Sequence, residues 1–191
     1  MKKTVTSIIL LFAINFLFCQ KATDSKELNI SLPSNVAIKG TSSLHDWESI
    51  VEKTNATMIL SSIENTKDIE SLKVIIGATS IKSGKRLMDK LTYKALKSKK
   101  YPFITFVFKK GKLVKENDNE IDIELNGDLT IAGVTKNVTV LTNVNKKGTD
   151  IFLKGTYKLK MTDYGIKPPR ALFGTIKTGD EITINFNLKF N

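Results

Sequence analysis

Ile182-Thr183-Ile184-Asn185-Phe186-Asn187-Leu188-Lys189-Phe190 alternates apolar and polar residues without a break almost to the end of the chain. A period of two puts Ile182, Ile184, Phe186, Leu188 and Phe190 on one face of a strand and the polar residues on the other, which predicts a strand buried on one side. The same period recurs in Ile121, Ile123, Leu125, Gly127 and Leu129, and again in Ile151, Leu153, Gly155, Tyr157 and Leu159. Further strands are expected over 28–32, 36–41, 47–60, 72–81, 103–109 and 136–145, with Lys110-Gly111, Ala132-Gly133 and Lys146-Lys147-Gly148 supplying turn residues. Consecutive strands joined by short turns predict an antiparallel meander. A sheet of this many strands with one buried face is expected to curl and close, which removes its edges.

One segment departs from the alternation. Between Lys85 and Lys99 the residues are good helix formers, Leu87, Leu91 and Ala95 recur four apart, and Pro102 follows. This predicts a short amphipathic helix lying across an open end of the barrel or along its flank. In the next strand Phe103, Thr105 and Val107 share one face while Ile104, Phe106 and Phe108 share the other. Both faces are apolar. Such a strand is either covered outside by the helix, the default expectation, or lines an apolar cavity with its inner face.

The N-terminus reads as a secretory signal peptide over residues 1–19: Met1-Lys2-Lys3, an apolar run from Val5 to Phe18, then Cys19-Gln20. The run is shorter than the ~20 apolar residues that a membrane-spanning helix needs. Cys19, the only cysteine, could carry a lipid. Leu17-Phe18 before it is bulky for such a signal, so cleavage between Cys19 and Gln20 is preferred, leaving a periplasmic or secreted protein with no disulfide. Residues 20–191 fall within the size of one domain. The formal net charge of +11 favours anionic partners. No nucleic-acid-binding motif is visible. Lys82, Lys85, Arg86, Lys90, Lys94, Lys97, Lys99 and Lys100 gather in the helix region against Asp89 alone, so it is either a solvated basic face or one that transiently touches an anionic membrane surface.

Gly40-Thr41-Ser42-Ser43-Leu44-His45-Asp46-Trp47-Glu48 holds the only histidine and the only tryptophan. With a single histidine, any nucleophile–base pair must use His45, and no Gly-x-Ser-x-Gly elbow presents a serine. The expectation is a non-enzyme in which His45 is structural or lines a cavity mouth. Too few soft or nitrogen ligands remain for a metal centre, and no Asp-rich calcium loop occurs. No cofactor is called for. A loop over 162–179 carries Tyr164, Arg170 and Phe173 beside Pro168-Pro169. It either holds a ring and a guanidinium at a cavity mouth or plugs the barrel end with Leu172 and Phe173.

The Gly40–Glu48 stretch, the helix with Met88-Asp89 and Tyr93-Lys94-Ala95-Leu96, Tyr101-Pro102-Phe103-Ile104-Thr105-Phe106, Gly127-Asp128-Leu129-Thr130-Ile131-Ala132-Gly133-Val134-Thr135-Lys136 and Gly179-Asp180-Glu181-Ile182-Thr183-Ile184 together resemble the YceI-like family of secreted bacterial proteins. The resemblance spans nearly the whole of 20–191. It implies an antiparallel lipocalin-like β-barrel of about eight strands with one short helix, and a long apolar cavity that in some members holds a polyisoprenoid. A barrel of that size can hold one slender ligand. The helix departs from the family pattern: where better-known members carry Arg-Asp-x-His-Leu, this chain reads Met88-Asp89-Lys90-Leu91, so a headgroup contact from those side chains is not carried over.

The expected function is therefore non-catalytic binding or carriage of a long, isoprenoid-like apolar lipid in the cell envelope. The alternative is an accessory envelope protein whose barrel is filled by its own side chains. The ligand-contact candidates are Trp47, Phe103, Phe106, Phe108, Tyr164 and Phe173 along the cavity, with His45, Arg86, Lys90 and Arg170 at its polar end. A homodimer is a further arrangement the sequence permits.

Overall fold

The computed structural model describes residues 25–62, 67–117 and 121–191. The expected signal segment lies outside the described residues. Strands β1 (Lys26–Ser42), β2 (Trp47–Val51), β3 (Thr54–Leu60), β4 (Ile69–Gly77), β5 (Ile81–Lys82), β6 (Phe103–Glu116), β7 (Ile121–Ile131), β8 (Val134–Lys147), β9 (Asp150–Lys160), β10 (Arg170–Ala171) and β11 (Ile176–Phe190) belong to one antiparallel sheet, and the one α-helix among the described residues, α1 (Arg86–Ala95), interrupts them. The long strands run β1-β3-β4-β6-β7-β8-β9-β11, and β11 returns to β1, with Ile30 opposite Phe190 and Ile38 opposite Ile184. The result is a closed eight-stranded barrel, as the alternation and the need to remove edges required.

The inward faces are those the period of two marks. Along β7, Ile123, Leu125, Gly127, Leu129 and Ile131 are buried while the residues between them are only partly so. One end of the barrel is packed solid: Leu28, Met58, Leu60, Ile123, Val144, Ile151, Leu153 and Phe190 exclude solvent almost completely. The beginning of β1 meets the C-terminal residue there, with the backbone amides and carbonyls of Asn29 and Asn191 exchanging two hydrogen bonds of 3.2 Å.

Three local expectations are corrected. Lys110-Gly111 is not a turn: β6 runs through it to Glu116, with a register shift between Phe108 and Lys110, because β7 continues to supply ladder partners as far as Ile121. The segment 47–60 is two strands, broken at Glu52-Lys53, because β2 pairs with Ala37 to Gly40 near the end of β1 and β3 with its beginning. The helix stops at Ala95, where Leu96 to Lys100 form turns and Lys97 adopts a left-handed φ of 53°.

Helix α1 also decides the question posed by the aromatic strand. It packs on β5 and the 3-10 turn Ala78–Ser80 at the other end of the barrel, not on the outer face of β6. Phe103 and Val107 are therefore exposed to solvent rather than covered, and the inner face of β6 lines a cavity. Asp89 starts the helix by accepting hydrogen bonds from the Ser83 amide (2.8 Å) and hydroxyl (2.7 Å), which hold its carboxyl below the usual carboxylate range.

Candidate functional site

Two adjoining cavities occupy the half of the barrel opposite the packed end. The outer one, of about 400 Å³, opens beneath α1; the deeper one, of about 120 Å³, lies on the barrel axis. Val36, Ile76, Ile104 and Ile184 line both. They come from β1, β4, β6 and β11 and form an aliphatic waist between the two compartments. The outer volume falls within the ~300–1,000 Å³ typical of small-molecule sites.

The deep compartment is walled by aliphatic and aromatic side chains, among them Leu72, Val74, Phe106, Leu125, Val140, Tyr157 and Phe186, with the buried Thr142 among them. The basic side chains are confined to the outer compartment, where His45, Lys85 and Arg170 join Ser42, Ser49 and Thr92 on a predominantly apolar wall with no carboxylate among the described lining residues. Burial raises the Tyr157 phenol above its ordinary value, with the charge of Asp163 adding to the shift.

The space exists because three wall aromatics lie flat over glycines. A Cβ on Gly127 would collide with the Phe106 ring, one on Gly155 with the Phe186 ring, and one on Gly40 with the Trp47 indole. Each ring occupies the volume a side chain would otherwise need and hugs the wall instead of crossing the axis. Trp47 is fixed further by its indole N–H, which donates to the Thr41 carbonyl at 3.0 Å.

The mouth is built by loops that brace one another. The Ser43 amide donates to the Lys177 carbonyl at 2.9 Å, and the Lys177 amide donates back to the Ser43 hydroxyl at 3.0 Å. Asp180 accepts from the Thr162 hydroxyl (2.6 Å) and amide (2.9 Å), which lower its pKa from the ordinary value. Tyr164 is buried beneath the loop. Its hydroxyl has no hydrogen-bond partner among the described residues, and burial pushes its pKa up to about 12.

Of the residues singled out from sequence, His45, Trp47 and Arg170 line the outer compartment and Phe106 the deep one. Phe108 packs against the core without lining either. Tyr164 is likewise set behind the wall, between the lining residues Met161 and Ile166. Phe103 belongs to the outward face of β6, one residue out of phase with the cavity. Arg86 and Lys90 lie on the exposed side of α1, whose inner side supplies Leu87, Met88, Leu91, Thr92 and Ala95. Phe173 projects fully into solvent beside the exposed Leu172, so the loop does not plug the barrel with them. Sequence reasoning missed the waist, Tyr157 and Phe186 as lining residues. An inward glycine across from an inward aromatic, as at Gly155 and Phe186, was the available signal.

His45 is engaged locally. Its Nδ1 lies 2.6 Å from the Asp46 carbonyl, and the Ser42 hydroxyl donates to the His45 carbonyl at 2.7 Å rather than to the ring. Nδ1 must therefore act as a donor, and the nearby serine is oriented by backbone and not activated by imidazole.

A family model described as the YceI-like domain matches residues 31–190. Among solved structures, BcnA from Burkholderia cenocepacia superposes with a TM-score of 0.66 at 20% identity, covering 82% of this chain and 95% of that one. A polyisoprenoid binding domain from Saccharophagus degradans, implicated in plant cell wall breakdown, gives 0.64 at 12% identity over 86% and 97%. The Campylobacter jejuni YceI protein gives 0.57 at 23% identity over 73% and 81%. At these identities the likeness is one of fold. No curated protein matches in sequence. The family match covers the barrel from its first strand to its last, and on that ground the chain belongs to the YceI-like family.

Proposed function

We propose that this protein is a non-catalytic carrier that holds one long apolar chain, isoprenoid-like, in its barrel and works in the cell envelope as a periplasmic or secreted protein. The observation that carries this reading is the pair of predominantly apolar cavities joined at the Val36–Ile76–Ile104–Ile184 waist, with basic side chains lining the outer one alone. That gradient suits an amphiphile inserted tail first. Each buried methylene-sized group contributes about 0.8 kcal/mol, so a chain reaching past the waist binds tightly without directional contacts. The polyisoprenoid-binding relative supports the ligand class, and the signal-like N-terminus supports the compartment.

The cavities argue against a barrel filled by its own side chains. A nucleophile–base pair built on His45 and Ser42 gains no support, since the Ser42 hydroxyl donates to the His45 carbonyl and not to its ring. Native mass spectrometry of protein purified from its own envelope without detergent, followed by extraction and lipid mass analysis, tests the proposal. A stoichiometric prenyl-type lipid is the expected result. Protein that arrives empty and also refuses added isoprenoids overturns it.

A further inference from the structure

The cavity mouth is rimmed by apolar side chains that the fold leaves in water. Leu44, Leu87 and Leu172 are 66%, 61% and 62% exposed although all three line the outer compartment, and Phe173 is fully exposed next to Leu172. They come from three separate segments that converge only at this opening. Single exposed leucines are ordinary on a protein surface. A ring of them around an apolar cavity is a contiguous patch of the kind that marks an interaction site.

The backbone at the tip presents this patch at a cost. Leu172, Phe173 and Gly174 have φ of 46°, 54° and 92°, a run of left-handed residues in which two are not glycine. The short β10–β11 ladder and the Thr175 amide, which donates to the Leu172 carbonyl at 3.1 Å, hold that conformation. Strain of this type is retained where the surroundings impose it, and it clusters at functional sites.

Charge surrounds the same opening. Lys85 and Arg170 line it, Arg86 and Lys90 stand exposed on α1, Lys167 stands exposed in the loop and Lys177 at the start of β11, and 166–179 contains no acidic residue. The nearby acids are few. Asp89 is tied to Ser83, Asp180 to Thr162, and Glu48 faces Lys39 at 3.7 Å, which leaves Asp46 beside His45 and the exposed Asp163.

An apolar rim inside a cationic surround is the composition that seats a protein at the headgroup–acyl boundary of an anionic bilayer. We propose that the rim is a membrane-docking surface: the barrel stands mouth-down on an anionic phospholipid bilayer, with Leu44, Leu87, Leu172 and Phe173 dipping into the interface and the cavity opening onto the acyl chains. The sequence suggested a membrane contact through the basic helix alone; the structure centres it on the mouth, with α1 as one side of the ring. Docked this way, a lipid passes between bilayer and cavity without crossing water. The docking itself does not depend on which ligand the barrel holds.

The test is co-sedimentation of the purified protein with extruded vesicles of phosphatidylglycerol and phosphatidylcholine, against vesicles of phosphatidylcholine alone. The expected result is at least tenfold stronger partitioning onto the anionic vesicles, falling steeply in 0.5 M salt. The double variant Leu172→Asn/Phe173→Asn, which keeps residues tolerant of left-handed φ, is expected to lose at least tenfold. Leu141→Asn, on the outer barrel wall, is expected to bind as wild type. Melting curves confirm that both variants fold. Wild-type-like sedimentation of the double variant, loss of binding in Leu141→Asn, or absence of binding to anionic vesicles each overturns the proposal. Vesicle binding by a protein that arrives empty and refuses added isoprenoids leaves docking standing and removes the carrier reading, so the two fail separately.

Discussion

The two ends of this barrel are made from the same alternating strands and reach opposite outcomes. At the closed end the inward residues interdigitate across the axis until no space remains, as with Leu28, Met58, Ile151 and Phe190. At the open end inward residues of similar hydrophobicity, among them Ile38, Ile76, Ile104 and Ile184, stay only partly buried around a void. Hydrophobic content therefore does not decide between core and cavity. What differs is the placement of glycines, which let large rings lie along the wall, and the way the open end is roofed by a helix and loops rather than by side chains.

The sharpest way to break this comparison is by truncation at each end. Phe190→Ala is expected to cost about 3–5 kcal/mol, the usual range for removing a phenyl group from a close-packed site. Ile184→Ala, beside space that is already empty, is expected to cost no more than about 1–2 kcal/mol, because few contacts are lost on its cavity side. Urea denaturation of both variants provides the numbers. Equal losses would mean that the open end is in fact packed.

Gly155→Val asks whether the glycines hold the cavity open. Its side chain competes with the Phe186 ring and the Leu141 carbonyl, and overpacking of that kind costs about 1–3 kcal/mol. The displaced ring enters the deep compartment. Binding of a series of prenyl alcohols is then expected to lose the longest chains selectively, while chains that stop at the waist bind as before.

A smaller effect is expected at Tyr164, whose unpartnered hydroxyl has no counterpart among the large apolar side chains of the closed end. Tyr164→Phe removes a buried donor without a partner and is expected to raise stability by up to about 1 kcal/mol. In the wild type the phenol titrates at about 12 in the fold against ~10 when unfolded. Above pH 10 the unfolded chain then holds fewer protons than the folded one, so stability falls as pH rises from 10 towards 12. Ultraviolet titration that shows every tyrosine ionising near 10 would place Tyr164 in water.

The least effect is expected at Asp180, which is only partly buried at the start of β11. Its depressed pKa means that its hold on Thr162 is present above the ordinary carboxylate value and is lost as pH falls through the lower folded value. Limited proteolysis within 162–179 should accelerate a few-fold at pH 3 relative to pH 6, and Asp180→Asn should reduce that difference. Identical cleavage at both pH values would show that Ser43 alone secures the mouth.

Much of the barrel was legible in the sequence because a period of two is a direct statement about faces: Ile123, Leu125, Leu153 and Leu188 are inward where the alternation puts them. Lys110-Gly111 misled because glycine serves equally in a turn and in a strand, and only the pairing partner decides. The site was half legible. Trp47 and His45 stood out by rarity, and Phe106 by its inward phase. Arg86, Lys90 and Phe103 share their neighbourhood but point the other way, since one residue of phase separates wall from solvent. The waist could not be read at all, because an isoleucine beside a void and one inside a core have the same local sequence.

The seam between β1 and β11 has a consequence in time. The first and last strands of the fold lie side by side, and β11 also pairs with β9, so a nascent chain that lacks its final fifteen-residue strand leaves two strand edges open. No sub-barrel can close early. Barrel closure must wait until the C-terminus has been synthesised and released, which puts this chain among slow, non-local folders. Until then the edges of β1 and β9 stand open, so the interval before closure is the one in which the chain is most exposed to pairing with other chains.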